Sequence, residues 1–159
     1  MPDIPWLDDR EQRAWRGYLV THTRLIGHLS RQLLRDTGLS EGDYAVLVNL
    51  TEAPDERLRA FELGRAMQWE KSRLSHHLTR MTARGLVQRE ECASDGRGAF
   101  ILLTPAGRAA IETAAPLHVR EVRRLFVEAL SGDQLETLAE ISDALRRRLD
   151  TAGTIDPCD

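Results

Sequence analysis

From Asp8 to Arg35 the chain carries Trp15, Leu19, His22, Ile26, Leu29 and Leu33 at three- and four-residue steps, with no proline among them. That pattern predicts one uninterrupted helix, which Thr37 and Gly38 end. Helices of globular domains typically run to about 11 or 12 residues. A helix this long in a chain of 159 residues extends past any core that one small domain can build for it. A partner subunit is the expected cover for the rest of its apolar stripe.

The next elements follow from local signals. Ser40-Glu41-Gly42-Asp43 has capping-box spacing ahead of Tyr44, Leu47, Val48 and Leu50, which predicts a second helix that stops at Ala53-Pro54-Asp55. Leu58-Arg59-Ala60 is short enough for a single strand, and Phe61 to Met67 has Leu63 and Met67 at helical spacing. Trp69 to Arg84 is the next predicted helix, with Gly85 where a left-handed cap belongs. Leu86 to Arg89 and Ala99 to Leu103 read as strands of a hairpin whose tip is Ser94-Asp95-Gly96-Arg97-Gly98. Thr104-Pro105 combines an N-cap with a proline at the first helical position, and the pattern it starts runs to Leu130, with a kink or short break expected at Pro116. Ser131-Gly132-Asp133 caps a last helix to Leu149.

Composition narrows the class. Hydrophobic residues make up 42% of the chain and charged residues 30%, and no apolar run approaches the ~18 residues of a membrane helix, so a soluble globular protein with no membrane partner is expected. The start, MPDIPWLDDREQ, lacks a basic region followed by an apolar core; no secretory signal is expected and the predicted location is cytoplasmic. Cys92 and Cys158 are too few for a disulfide framework, and with the five histidines they form no metal-ligand spacing, so free thiols, no metal and no cofactor are expected. Net charge is -3, yet Arg57 to Arg108 holds ten Arg or Lys against five carboxylates, so this segment carries +5 and the rest of the chain -8. A basic module on an acidic frame suits a polyanion bound by one part of the chain only.

At the helix-helix-hairpin section the chain resembles the MarR family of bacterial transcriptional regulators. The resemblance is carried by Leu74-Ser75-His76-His77-Leu78-Thr79-Arg80-Met81, by Arg84-Gly85-Leu86-Val87, by Asp95-Gly96-Arg97 and by Leu103-Thr104-Pro105-Ala106-Gly107. It implies a mainly α fold, a winged helix-turn-helix with long N- and C-terminal dimerisation helices. Residues 39-104 would form the DNA-binding domain, and 1-38 with 105-159 the dimerisation region. It also implies a homodimer on double-stranded DNA, more often a repressor, reading an inverted-repeat operator with a recognition helix at about 70-84 and a wing at about 88-103. A small aromatic or phenolic effector bound between the dimer helices and the DNA-binding lobes is a further implication, for which Trp15, Arg16, His22 and Tyr44 are candidate wall residues beside a plain packing role.

The residues themselves fit that reading. At about 100° per residue, Leu74, Leu78 and Met81 share one narrow arc of the central helix, while Ser72, His76, Thr79 and Ala83 lie roughly opposite and Arg73 and Arg80 take one shoulder. Arg can bond guanine in two places, and Ser, His and Lys are adaptable partners of bases and phosphates, so Lys71, Ser72, Arg73, His76 and Arg80 are the expected DNA contacts. Arg97, at a glycine-flanked tip, suits the negative potential of a narrow minor groove. Asp95 is expected to fix that hairpin, since it cannot favourably face phosphate. Arg65, Arg84 and Arg89 are secondary phosphate candidates. Taken alone, the helix also fits an amphipathic surface helix with a solvated charged face, the hairpin tip a solvated turn, and the whole a winged-helix protein-interaction module without DNA.

His77, beside the apolar arc, reads as a partly buried histidine or a neighbour of phosphate. Ser75 and His76 diverge by about 100° and cannot converge on one substrate atom, so no enzyme is expected. Arg146-Arg147-Arg148 closes an apolar-striped helix and suits dipole compensation rather than a second DNA site. Cys92 reads as a structural thiol.

Overall fold

The computed structural model describes residues 5-91 and 99-152. Its first helix, α1, spans Asp9–Thr37 and opens on a capping box in which the Asp8 carboxylate accepts from the Glu11 N–H and Glu11 reaches back to the Asp8 N–H, both at 2.8 Å. Gly38, at φ 71°, ends it in the left-handed region where glycine carries no steric cost. Helix α2, Glu41–Glu52, has the expected Ser40/Asp43 box. A short 3-10 turn, Pro54–Glu56, leads into strand β1, Arg57–Arg59, and then α3, Ala60–Met67.

Gln68 takes a left-handed conformation at the end of α3, so Trp69 and Glu70 form the turn and α4 begins only at Lys71, two residues later than the periodicity predicts. Helix α4, Lys71–Ala83, closes in a Schellman motif: the Leu86 N–H donates to the Met81 carbonyl at 3.0 Å and the Gly85 N–H to that of Thr82 at 2.9 Å. Strands β2, Val87–Glu91, and β3, Ala99–Leu103, pair antiparallel from Val87↔Leu103 to Glu91↔Ala99, and β1 pairs antiparallel on the other side of β3, giving the order β1-β3-β2. Alternation along β3 buries Ala99 and Ile101 against the helices.

Helix α5, Pro105–Val122, starts as expected: the Thr104 hydroxyl accepts from the Gly107 N–H at 3.0 Å and donates back to the Gly85 carbonyl at 2.6 Å, which ties α5 to the end of α4. Of the kink or short break expected at Pro116, a break is absent: α5 runs through it. Pro116 and Glu112, whose carbonyl loses its helical partner there, both lie on the exposed side, where water can take that bond and the helix runs on. The departure from α geometry comes instead at Arg123–Val127, a π-helical turn closed by the Glu128 N–H on the Arg123 carbonyl at 2.8 Å. Helix α6, Gly132–Ala152, follows a box of Ser131 and Gln134.

The chain forms two compact units, Met1–Val119 and Arg120–Asp159. The first has one core, in which Leu33 of α1, Val46, Leu47 and Leu50 of α2, Leu63 of α3, Leu74, Leu78 and Met81 of α4, Ile101 of β3 and Ile111 and Ala114 of α5 pack together. Each fully buried aliphatic side chain contributes about 1.5–3 kcal/mol, so this cluster fixes where α4 sits. Toward its N-terminal half α1 has no such cover: Trp15, Tyr18 and Val20 are each half exposed.

Candidate nucleic-acid interface

Helix α4 has two unlike faces. Leu74, His77, Leu78 and Met81 are buried against α2, α3 and the sheet, while Lys71, Ser72, Arg73, Ser75, His76, Thr79 and Arg80 are exposed. The outward set contains every expected contact on the central helix. The N-cap of α4 is Glu70, whose side chain makes no cap hydrogen bond, and no acid stands in the first turn, so among the described residues the first N–H groups of the helix are left open beside Lys71.

Several outward cations are held in place. The Arg73 guanidinium lies over the Trp69 indole, 4.1 Å from its centroid, an arrangement that limits the rotamers of an exposed side chain. Trp69 in turn meets His77 edge-on, with ring centroids 5.1 Å apart and planes at 80°. Arg80 places NH2 3.0 Å from Nδ1 of His77. Arg65 and Arg89, from α3 and β2, line with Lys71 and Ser75 an open groove of about 840 Å³ floored by Leu74 and Leu78. These cations therefore continue the α4 face onto its neighbours.

Arg84 has a different place. Its NH1 donates to Asp43 at 2.7 Å and its NH2 to the Gly38 carbonyl at 2.9 Å, joining the end of α4 to the α1–α2 turn. Asp43 is the buried residue that the sequence shows only as half of a capping box. Its second oxygen lies 3.0 Å from Nε2 of His77, a close electrostatic contact that is not aligned as a hydrogen bond. Burial by itself would raise the Asp43 carboxyl, but the Ser40 N–H and hydroxyl and the Arg84 guanidinium outweigh it and hold the group below its ordinary range. For His77, burial lowers the pKa; Asp43 pulls it back, Arg80 and Arg73 push it down again, and the net direction is down.

The remaining candidates are dispersed. Arg97 and Asp95, with Cys92, lie outside the described residues. Trp15, Arg16 and His22 sit exposed on α1, where Trp15 and His22 flank Tyr18 in stacked contacts at 6.1 and 5.9 Å. Tyr44, one of the four expected wall residues, lines a cavity of about 340 Å³ bounded by Ile26, Leu29 and Leu33 of α1, Glu41 and Val48 of α2 and His118 of α5. The Tyr44 and His118 rings meet there at 4.7 Å, and burial raises the Tyr44 hydroxyl and lowers His118, the latter partly offset by Glu41. Among the described residues no group of three or more His, Cys, Asp or Glu could hold a metal ion.

Residues 37–98 match the sequence model of the MarR family. AbsC from Streptomyces coelicolor, a MarR family transcriptional regulator, is 40% identical and superposes with a TM-score of 0.88, covering 93% of this chain and 99% of its own. The chain belongs to the MarR family. It is a winged helix-turn-helix transcriptional regulator, in which α3 and α4 form the helix-turn-helix and β2 and β3 the wing. A second MarR regulator from the same organism, Sco3205, whose crystal structure is a complex with DNA, is 41% identical with a TM-score of 0.86 over 91% of this chain and 94% of that one. The transcriptional repressor YetL of Bacillus subtilis is 28% identical, covering 76% of this chain and 78% of its own.

Proposed function

We propose that the chain acts as a homodimeric, sequence-specific DNA-binding repressor. The observation that carries this reading is the composition of the outward face of α4: Lys71, Ser72, Arg73, His76 and Arg80 are all exposed beside an uncapped helix N-terminus, on a helix whose other face is locked into the core. A major groove admits such a helix, with Arg73 and Arg80 on base edges or adjacent phosphates and Lys71, Ser72 and His76 beside them. Arg65 and Arg89 supply further phosphate contacts, and Arg97, with Asp95 steadying the wing, enters the minor groove. The complex of Sco3205 with DNA supports this role for a chain so similar to it. A protein-interaction role fits less well, because interface cores are depleted in charge.

The dimer is the work of residues 1-38 and 105-159. Its support is the apolar surface that one chain leaves open, Trp15, Tyr18 and Leu19 on α1 and Ile141, Leu145 and Leu149 on α6. A two-fold axis then sets two α4 helices about one DNA turn apart, so the operator is an inverted repeat. The effector is a small aromatic or phenolic molecule in the Tyr44–His118 cavity. Among the described residues no Lys or Arg lines that cavity and Glu41 does, which favours a neutral phenol over a carboxylate. Among the described residues no helix is long and apolar enough to cross a membrane.

A mobility-shift experiment on randomised duplexes at low salt tests the reading. Retention of a fraction that falls steeply with added salt is the expected outcome. Absence of any retained DNA at low salt overturns it.

A further inference from the structure

Arg80 is an exposed cation on the reading face, and a side-chain contact sets its direction: NH2 to Nδ1 of His77, 3.0 Å away. Guanidinium has no acceptor and does not lose its proton in proteins, so Nδ1 must be the acceptor and carries no hydrogen. The ring proton then sits on Nε2, which stands 3.0 Å from a carboxylate oxygen of Asp43, whose negative charge favours the proton on that nitrogen even though the contact is not aligned as a hydrogen bond. The Asp43 carboxylate is itself fixed, accepting from the Ser40 N–H at 2.9 Å and from Arg84 at 2.7 Å, while the Asp43 backbone N–H donates to the Ser40 hydroxyl at 3.1 Å. The His77 ring has little room to turn. Trp69 covers one side of it, and the Gly42 backbone approaches so closely that an added Cβ would stand 2.9 Å from Cε1.

We propose that His77 is a positioning residue for DNA reading: the buried Asp43 selects its Nε2–H tautomer, and the Nδ1 lone pair so exposed aims the Arg80 guanidinium along the reading face of α4. The proposal rests on the DNA-binding reading above. It assigns a task to a histidine that does not itself face the groove.

Protonation reverses the arrangement. An imidazolium has N–H on both ring nitrogens and a positive charge, so it can no longer accept from Arg80 and repels it. The charged groups that face the ring are Asp43 from α2 and Arg80 and Arg73 from α4; Trp69, from the preceding turn, is neutral. The ring is neutral near pH 7 and takes up a proton only below its ordinary range, since burial and the two arginines outweigh Asp43. Arg80 is thus aimed near neutral pH and released in acid. The wild-type profile alone does not isolate His77, so variants that cannot titrate there are compared with it.

The test compares wild type with His77→Asn and His77→Phe, using a fluorescent duplex recovered by selection from a random pool and read by anisotropy from pH 8 to pH 5. Asn keeps an acceptor near the place of Nδ1 and does not titrate; it is expected to bind within about threefold of wild type at pH 8 and to lose the part of the acid weakening that belongs to His77. Phe keeps the ring against Trp69 without the acceptor, and is expected to bind about tenfold more weakly at every pH. Thermal melts and dimer mass check that each variant is folded. Nitrogen NMR of the wild-type imidazole without DNA is expected to show protonated Nε2 and bare Nδ1 at pH 7. A proton on Nδ1, or a His77→Asn profile that follows wild type, overturns the positioning role alone. Failure of wild type to bind any duplex at pH 8 overturns the DNA reading and this proposal with it.

Discussion

Gly42 of α2 and Trp69 of the turn before α4 stand so close that a methyl group on Gly42 would lie 2.7 Å from Cη2 of the indole. The helix that carries the reading face is seated against α2 through this contact and through His77. Gly42→Ala forces the indole outward, and overpacking of this kind costs about 1–3 kcal/mol. The expected result is a lower melting temperature together with weaker DNA binding, because Trp69 also supports Arg73. Gly107→Ala is expected to be worse, since its Cβ would meet the Leu86 carbonyl oxygen, a backbone atom that cannot rotate away. Parallel melts of the two variants check the order.

Asp43 gives the protein a defined acid limb. Its carboxyl is held below the ordinary 3.8, so its contribution to stability is complete above the unfolded value and is lost as the pH falls through the folded one. Denaturant titrations between pH 7 and pH 2 are expected to show stability falling over that range, and Asp43→Asn is expected to flatten the fall. Asp43→Ala takes the carboxylate from buried His77 and half-exposed Arg84 and is expected to cost about 2 kcal/mol at pH 7. An unchanged acid limb in Asp43→Asn would show that other carboxylates control it.

Where a signal was local, the chain was legible. The Ser40/Asp43 box, Gly85 after α4, the Thr104-Pro105 start and the stripe of α1 are each written within a few residues, and each appears as expected. Partners far apart were not. Arg84 finds Asp43 across 41 positions, and nothing in either neighbourhood marks the pair, so a phosphate candidate turns out to brace the fold. Trp15, Arg16 and His22 belong to the same apolar-striped helix as Ile26, Leu29 and Leu33, yet it is the latter three that face Tyr44 across the cavity, while the former lie exposed nearer the start of α1. Whether Pro116 breaks α5 depends on which side of the helix it faces, and that side is set by tertiary packing.

Phosphate contacts separate from base contacts by their salt dependence. Each phosphate neutralised adds about 0.9 to the slope of log K against log salt. Arg65→Ala and Arg89→Ala, one change on each subunit of a dimer, are each expected to lower that slope by about 1.8 with little change in sequence preference. Arg73→Ala is expected to relax the preference itself. Salt titrations on a selected duplex and on a scrambled one check both outcomes.

The open apolar surface of α6 makes the dimer testable without DNA. Leu145, 53% exposed in the single chain, is expected to be covered in the dimer. Leu145→Asp should then shift the sedimenting mass toward one chain while the far-ultraviolet dichroism stays helical. An unchanged monomeric mass in wild type would contradict the dimer.

The most direct test of the whole account is selection of binding sites from a random duplex pool by wild type and by Arg80→Ala. The account predicts that wild type enriches an inverted repeat with half-site centres about one helical turn apart, and that Arg80→Ala, still folded, loses the preference at defined positions in each half-site. Enrichment of no sequence, or of the same sequence by both proteins, would contradict it.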